Sequence, residues 1–495
     1  MIASFLTGFF LSPYIIRKLG EQRYGIWALA FAFIDYFTFF DFGFKSAIIN
    51  FVSRFRGQND RDSINEVVNT ALYYFLGIAI LLLTATWLIS GQLHRFFKIS
   101  PEYQAEFAVL VRIIGVGWSA AIALNVFVAG LEAFQRFKVQ NHIAVLSLIL
   151  RSGTSAVLLF FGYGLTAMGV AVMFSQFVSY GLTFLGFRRA FPALRISPSL
   201  VRRSMWKQLA QYGIHSFVAQ LGAMLQNQGP PVLIGHFRTE AFVGYYTLPN
   251  RLLQYMVEMV TRIASVTTPN TAELLAQGKR DRIARLGVYL NRYCFALFVP
   301  LSLFLLIYGK ALIELWVGPA FSMHAAPLLP AFVLMTSFGV AGQFNSVGIL
   351  FGMAKHDTFA KAMVTEAVTT LIGMTLVLPR FGILGAAWVA CGVAIANRGL
   401  VTPYLLCRNL ELSLPRYLRA IYLVPVLLAL PTAVLAYWMR NSWLPGKNWM
   451  ELLMALAILS AQYYAVFFFT GFDREHRSML QEWVTRRLQI RRARA

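Results

Sequence analysis

RYGIWALAFAFIDYFTFFDFGFKSAIIN, residues Arg23 to Asn50, decides the fold of this chain. The stretch is long and apolar enough to cross a bilayer, whose hydrocarbon core of about 30 Å needs about 20 apolar residues in a helix. Asp35 and Asp41 nevertheless sit inside it. A carboxylate in hydrocarbon has to be paired, protonated or turned towards water. The stretch is therefore a membrane helix with something polar to face.

Comparable apolar runs recur from the first residue to about residue 471. Of 495 residues, 58% are hydrophobic and only 13% charged, where a soluble protein carries about 25%. Mean hydropathy is +0.60. The pattern predicts an all-α integral membrane protein with about 14 transmembrane helices. The opening MIASFLTGFFLSPYII lacks a basic leader and a small-residue cleavage site, so it reads as a retained first helix. The connections are short, and none is large enough for a separate soluble domain.

Most of the 44 lysines and arginines fall in alternate loops and in the tail. By the positive-inside rule this places both termini in the cytoplasm. The net charge of +23 is then mainly a topology signal with an attraction for anionic membrane lipids. The tail TRRLQIRRARA reads the same way, and no nucleic-acid partner is expected. Cys294, Cys391 and Cys407 lie in apolar segments without CxxC spacing, and the seven histidines form no ligand motif. No metal site and no cofactor is expected.

The chain repeats itself at a spacing near 220 residues. SPYIIRKLGEQRYG (Ser12–Gly25) answers to PPVLIGHFRTEAFVG (Pro230–Gly244), RDSI at Arg61 to RDRI at Arg280, and GLEAFQRF at Gly130 to GMAKHDTF at Gly352. A repeat of six helices is even, so both copies enter the membrane in the same direction and form two parallel six-helix lobes, the plan of a secondary transporter. The expected organisation is a first lobe over 1–190, a basic cytoplasmic linker over 191–211 and a second lobe over 212–410. Two additional helices follow within 411–472, and a basic cytoplasmic tail over 473–495.

Charges left inside the spans are functional candidates by default. In LPNRLLQYMVEMVTRIASV, Arg251, Tyr255, Glu258 and Arg262 fall on one helical face. Two readings of this stripe stand side by side: a self-contained Glu258–Arg262 pair, or a cationic wall of a water-filled cavity. Arg112, Arg151 and Arg398 are further single cations within spans. Guanidinium groups suit phosphate oxygens, so an arginine-lined lumen points to an anionic substrate with a pyrophosphate head. The in-span acids are Asp35, Asp41, Glu258 and Glu366. Gln220, Asn227, Gln343 and Asn345 offer amides that suit sugar hydroxyls. There is no GxSxG, Walker A or GxGxxG motif, and the chain reads as a transporter rather than an enzyme.

The run LGEQRYGIWALAFAFIDYFTFFDFGFKSAI, followed by VSRF and a polar loop, resembles the start of bacterial polysaccharide flippases. These are the O-antigen and exopolysaccharide repeat-unit exporters of the multidrug/oligosaccharidyl-lipid/polysaccharide (MOP) superfamily. The turn from Arg17 to Gly25, the DFG step from Asp41 to Gly43, GYYTLPNRLLQY and FGILGAA carry the likeness. The resemblance implies a bacterial inner-membrane protein that flips undecaprenyl-pyrophosphate-linked oligosaccharide by alternating access, coupled to a proton or sodium ion. It implies Arg17, Lys18, Arg54 and Arg251 as pyrophosphate ligands and Asp41 as the ion-responsive acid. Polysaccharide polymerase or export machinery would be a partner. The two extra carboxyl-terminal helices suit the lipid II branch as well. A cation-coupled multidrug exporter and a membrane glycosyltransferase are the rival readings.

Asp41 has Lys45 four residues on, and Gly43 beside it marks a bend. Asp35 has no cation within four residues on its own helix and needs a partner from another one, or a proton. Physics favours Asp35 as the proton-coupling acid and the resemblance favours Asp41; both stay candidates.

Overall fold

The computed structural model describes residues 2–264, 267–341, 343–353, 355–473, 475–478 and 482. Among them the chain is helical throughout, without a β-strand. Among the described residues nine helices are long and apolar enough to cross a membrane, or ten when a bent pair is counted as one span. α9 (Arg203–Phe237) and α10 (Glu240–Ala264) are also long enough, but Gln220, Gln226, Asn227, Gln228, Asn250, Arg251 and Gln254 make them too polar to be counted with the rest.

The chain forms two compact units. The first comprises Met1–Leu252 with Ala360–Val389. It holds α1 (Ile2–Leu19), α2 (Glu21–Asp35), α3 (Phe44–Gly57), α4 (Arg61–Ser90), the short α5 (Leu93–Phe96), α6 (Gln104–Ala133), α7 (Phe137–Phe160), α8 (Leu165–Ala190), α9 and the first half of α10. α6 is its centre, packed against α2, α3, α4 and α8. Ile26, Leu29, Phe75, Phe107 and Phe187 are fully buried there, while Leu81, Leu88, Val157 and Phe160 face outwards as a lipid-exposed surface requires.

The stretch Arg23–Asn50, in which Gly43 is expected to mark a bend, is broken into two helices. α2 stops at Asp35, a 3-10 turn covers Tyr36–Asp41, and Phe42 and Gly43 take positive φ of 45° and 75°. The two arms meet at a 42° bend. A Cβ on Gly43 would lie 2.1 Å from the carbonyl oxygen of Gly213 on α9. Both the left-handed backbone and the crossing helix therefore demand glycine.

The basic linker after α8 is bound down along its length. Asn65 donates to the Ala193 carbonyl at 3.1 Å and accepts from the Arg195 amide at 2.8 Å. One turn further on, Asn69 donates to the Arg195 carbonyl at 2.7 Å and accepts from the Ser197 amide at 2.8 Å. Thr70 Oγ1 then accepts from the Arg202 amide at 3.0 Å. Three side chains of α4 thus replace the missing strand partner of the linker, and all three are buried.

The second unit comprises Leu253–Phe359 with Ala390–Ala495. It contains the rest of α10, α11 (Thr267–Ala276), α12 (Arg280–Val317), α13 (Pro319–Ala325), α14 (Leu329–Leu334), α15 (Phe344–Gly352), α17 (Thr402–Asn409), α18 (Leu414–Ser442) and α19 (Trp449–Thr470). α16 (His356–Ala394) contributes to both units and is interrupted at Gly382, within the FGILGAA run. Buried Asn291 organises the second unit. Its amide donates to Ser346 Oγ at 2.8 Å and Tyr417 Oη at 2.9 Å, and its oxygen accepts from the Asn345 backbone at 3.0 Å. Gln343 donates to Tyr422 Oη at 3.0 Å and accepts from Ser346 Oγ at 2.9 Å, and Asn345 Oδ1 accepts from Thr267 at 2.9 Å. Gln343 and Asn345, expected as sugar-contacting amides, are instead core residues with their hydrogen bonds made inside the unit.

Asn69→Ala removes one donor and one acceptor from the linker and leaves both backbone groups unpaired. A loss of about 1–3 kcal/mol is expected. Limited trypsin digestion in detergent should show several-fold faster cleavage at Arg195, against unchanged cleavage after Arg280.

Candidate functional site

Four elements of the first unit bring polar side chains together around Asp35. Beyond the polar first turn at Glu21–Arg23, α2 is apolar or aromatic until it ends at this carboxylate. Gln228 of α9 donates to Asp35 Oδ2 at 2.8 Å. The indole N–H of Trp118 on α6 donates to the same carboxylate, and the Arg251 guanidinium of α10 acts on it electrostatically. Phe31 and Trp27 form an aromatic wall beside the indole, with Phe31 5.4 Å from Trp118 and 4.5 Å from Trp27. The interhelical partners that Asp35 needs are thus an amide, an indole and a guanidinium, leaving the site polar in an otherwise apolar helix packing.

Two residues along α9, Gln226 donates to Glu366 of α16. Residues two apart on a helix point in nearly opposite directions. The QNQ run at Gln226–Gln228 therefore serves α2 on one side and α16 on the other, with exposed Asn227 between them. Gln226, Gln228 and Trp118 were not singled out from sequence; three consecutive amides inside an apolar helix were the signal available for the first two.

Asp41 is placed differently. Its carboxylate accepts from the backbone N–H of Lys45 at 3.4 Å, near the start of α3, where a carboxylate complements the helix dipole. The Lys45 ammonium does not take the expected pairing with Asp41 but lies 2.9 Å from Glu132 on α6. The i, i+4 spacing of the two residues brings them together only on a regular helix, and Gly43 interrupts it. The turn there redirects the Lys45 side chain.

The remaining cations are dispersed. Arg17 and Lys18 are exposed at the end of α1, next to the start of α2, whereas exposed Arg54 lies at the far end of α3. The bent span separates them, so Arg54 is not brought together with Arg17 and Lys18. The Arg54 guanidinium rests on Phe51 and Phe55 at 4.9 and 4.8 Å. Arg112 donates to Ser90 Oγ at 2.7 Å and lies over Trp87 at 5.4 Å. Arg151 is exposed on α7, and Arg398 lies half-buried in the π-helical turn Ile395–Val401 of the second unit. Glu258 is exposed on α10; the Arg262 side chain lies outside the described residues, so the Glu258–Arg262 pair has no structural description. No cluster of metal-ligating side chains occurs among the described residues.

The internal repeat meets itself at one end of the same unit. Glu21 and Glu240 both stand in the first turn of their helices, and Gly25 and Gly244 follow four residues later. A Cβ on Gly25 would lie 1.9 Å from the Glu240 carbonyl oxygen, and one on Gly244 3.4 Å from the Gly25 nitrogen. Around this crossing Glu21 accepts from Tyr245 Oη. Glu240, 1% exposed, accepts from the Ser100 amide at 3.2 Å and its hydroxyl at 2.7 Å. Two repeat-related glycines thus let α2 and α10 pack backbone to backbone.

The fold and these residues can be set beside known proteins. A family described as polysaccharide biosynthesis protein matches residues 15–325, well over half of the chain. The chain belongs to that family. The chain is 23% identical over 459 residues to the uncharacterized membrane protein EpsK of Bacillus subtilis, covering 88% of this chain and 86% of the relative. It is 18% identical to a putative O-antigen transporter of Shigella flexneri over 375 residues, covering 76% of this chain and 87% of that one. A solved structure of the lipid II flippase MurJ in an inward closed conformation superposes with a TM-score of 0.74 at 12% identity, over 94% of this chain and 98% of the other. That likeness carries the fold.

In this family member, Gly25→Val forces α2 and α10 apart at the Glu240 carbonyl, at a cost of about 1–3 kcal/mol or more. The thermal midpoint in detergent should fall by several degrees, and a cysteine introduced at Ser100 should become several-fold more reactive to maleimide. Gly77→Val, where nothing lies within 4 Å, should change neither.

Proposed function

We propose that the protein moves an undecaprenyl-pyrophosphate-linked oligosaccharide across the bacterial inner membrane, with both termini in the cytoplasm. The observation that carries this reading is the Asp35–Trp118–Gln228–Arg251 cluster within helices otherwise built for lipid. Its combination of a guanidinium, an amide and aromatic rings offers phosphate and sugar contacts together. Family membership and the transporter and flippase names of the relatives support the same reading.

In this mechanism the lobes over 1–190 and 212–410 alternate in access, and the two carboxyl-terminal helices lie outside that cycle. Arg251 receives the pyrophosphate, and substrate competes with Asp35 for the guanidinium. A proton or a sodium ion taken up by Asp35 weakens its hold on Arg251 and primes the site. Asp41, engaged at the start of α3, supports the bend rather than the exchange. Arg17, Lys18 and Arg54 form two ends of an entry and exit path, and Arg112, Arg151, Arg262 and Arg398 set the positive potential of the route. Glu258 and Glu366 balance it. A polysaccharide polymerase or export complex takes the product.

The test is reconstitution into vesicles with fluorescent lipid-linked oligosaccharide. Arg251→Ala should lower the transfer rate at least tenfold, with Arg251→Lys retaining part of it. Asp35→Asn keeps the size and the hydrogen-bonding capacity of the side chain but should abolish the dependence of the rate on pH or sodium. Full activity in both Arg251 variants at normal protein levels removes that residue from the site. Formation or cleavage of a glycosyl bond without movement between leaflets would sink the transporter reading.

A further inference from the structure

A recess of about 490 Å³ opens where the linker joins α9, lined by Thr70, Tyr73 and Tyr74 of α4 and by Arg202, Arg203 and Trp206. It is a built feature. The bonds from Asn65, Asn69 and Thr70 fix the linker as its wall, and Tyr74 stacks on Phe44 at 4.9 Å, with Trp206 6.0 Å away from Tyr74. Arg202 is engaged with Glu66 at 3.2 Å. Arg203 is exposed, and among the described residues its guanidinium makes no hydrogen bond or ion pair. The hydroxyls of Tyr73 and Tyr74 likewise have no partner among them.

The recess continues into an apolar track. Leu76, Ile80, Leu83 and Trp87 follow Tyr73 at helical spacing on one face of α4 and are 39%, 65%, 36% and 57% exposed. From Tyr73 to Trp87 the helix rises about 21 Å, enough to carry an extended chain through one leaflet, about half of the 30 Å core. A free guanidinium and two phenol hydroxyls at one end of such a track match a phosphodiester with an acyl chain. Tyrosine and tryptophan at the mouth are residues that settle at headgroup depth. Arg195 in the pinned linker and Lys207 next to Trp206 add positive charge along the same segment, which favours an anionic lipid over a zwitterionic one.

We propose that this recess is a binding site for one anionic phospholipid, its phosphodiester on Arg203 and the tyrosine hydroxyls and one acyl chain along the α4 face. The site is separate from the Asp35–Arg251 cluster and does not depend on what the protein transports.

Native mass spectrometry of the delipidated full-length protein in detergent tests it. Phosphatidylglycerol should be retained at least tenfold more strongly than phosphatidylcholine. Arg203→Gln combined with Trp206→Ala should lose that preference while keeping the thermal midpoint of the parent. Arg188→Gln with Arg189→Gln removes as much or more charge outside the recess and should keep it. Equal losses in the two double variants would show diffuse surface attraction and overturn the site. So would displacement of the lipid by an equal concentration of glycerol 3-phosphate, which would make it a site for free phosphate. Displacement by an equal concentration of a polyprenyl pyrophosphate would likewise overturn the assignment, making the recess a station for the transported lipid.

Discussion

The hydrogen bond from Gln228 to Asp35 stands for the constraint under which the whole protein is built. In a medium without water, every polar group has to find its partner inside the protein. Asp35 meets an amide, an indole and a guanidinium from three other helices. Glu366 meets Gln226, Lys45 meets Glu132, and Asn291 gathers Ser346, Tyr417 and the Asn345 backbone. Each pairing holds two or more helices in register, so the polar residues specify the packing that apolar side chains alone leave loosely determined. Around Asp35 both charge signs are gathered with amide and aromatic groups. There the constraint that shapes the fold also prepares a site.

The internal repeat gains physical meaning at the crossing of α2 and α10. The match of GEQRYG with TEAFVG is weak as a string, but its two invariant positions within this chain perform paired tasks. Glutamates open both helices, and glycines let the helices touch. A duplicated element that packs on its own copy keeps those features in both halves, since a side chain at either glycine meets the other helix.

Backbone breaks were legible in the sequence. Gly43 beside Asp41 marked the bend and FGILGAA marked the interruption at Gly382, because left-handed backbone calls for glycine. The all-α membrane class was legible too, through composition. What escaped depended on distance in the chain. Lys45 was assigned to its neighbour four residues away, but the turn at Gly43 voids helical spacing and sends it to Glu132. Gln343 and Asn345 looked like sugar ligands because an amide in a span advertises polarity without revealing its partner. Asn65 and Asn69 carry no local signal of their role, because their partners lie about 130 positions onward.

Those two asparagines have a mechanical consequence. α9 is 35 residues long, about 52 Å, and starts immediately beyond the stretch that they pin to α4. Its other end is followed by Arg238, which donates to the carbonyls of Leu378 and Pro379 beside the interruption in α16. A rod clamped near its foot behaves as a lever. A tilt of about 10° at the clamp sweeps the far end through roughly 9 Å, given the 1.5 Å rise per residue. Gln226 and Gln228 sit two thirds of the way along that arm. Any swing of it therefore also changes how firmly Asp35 and Glu366 are held.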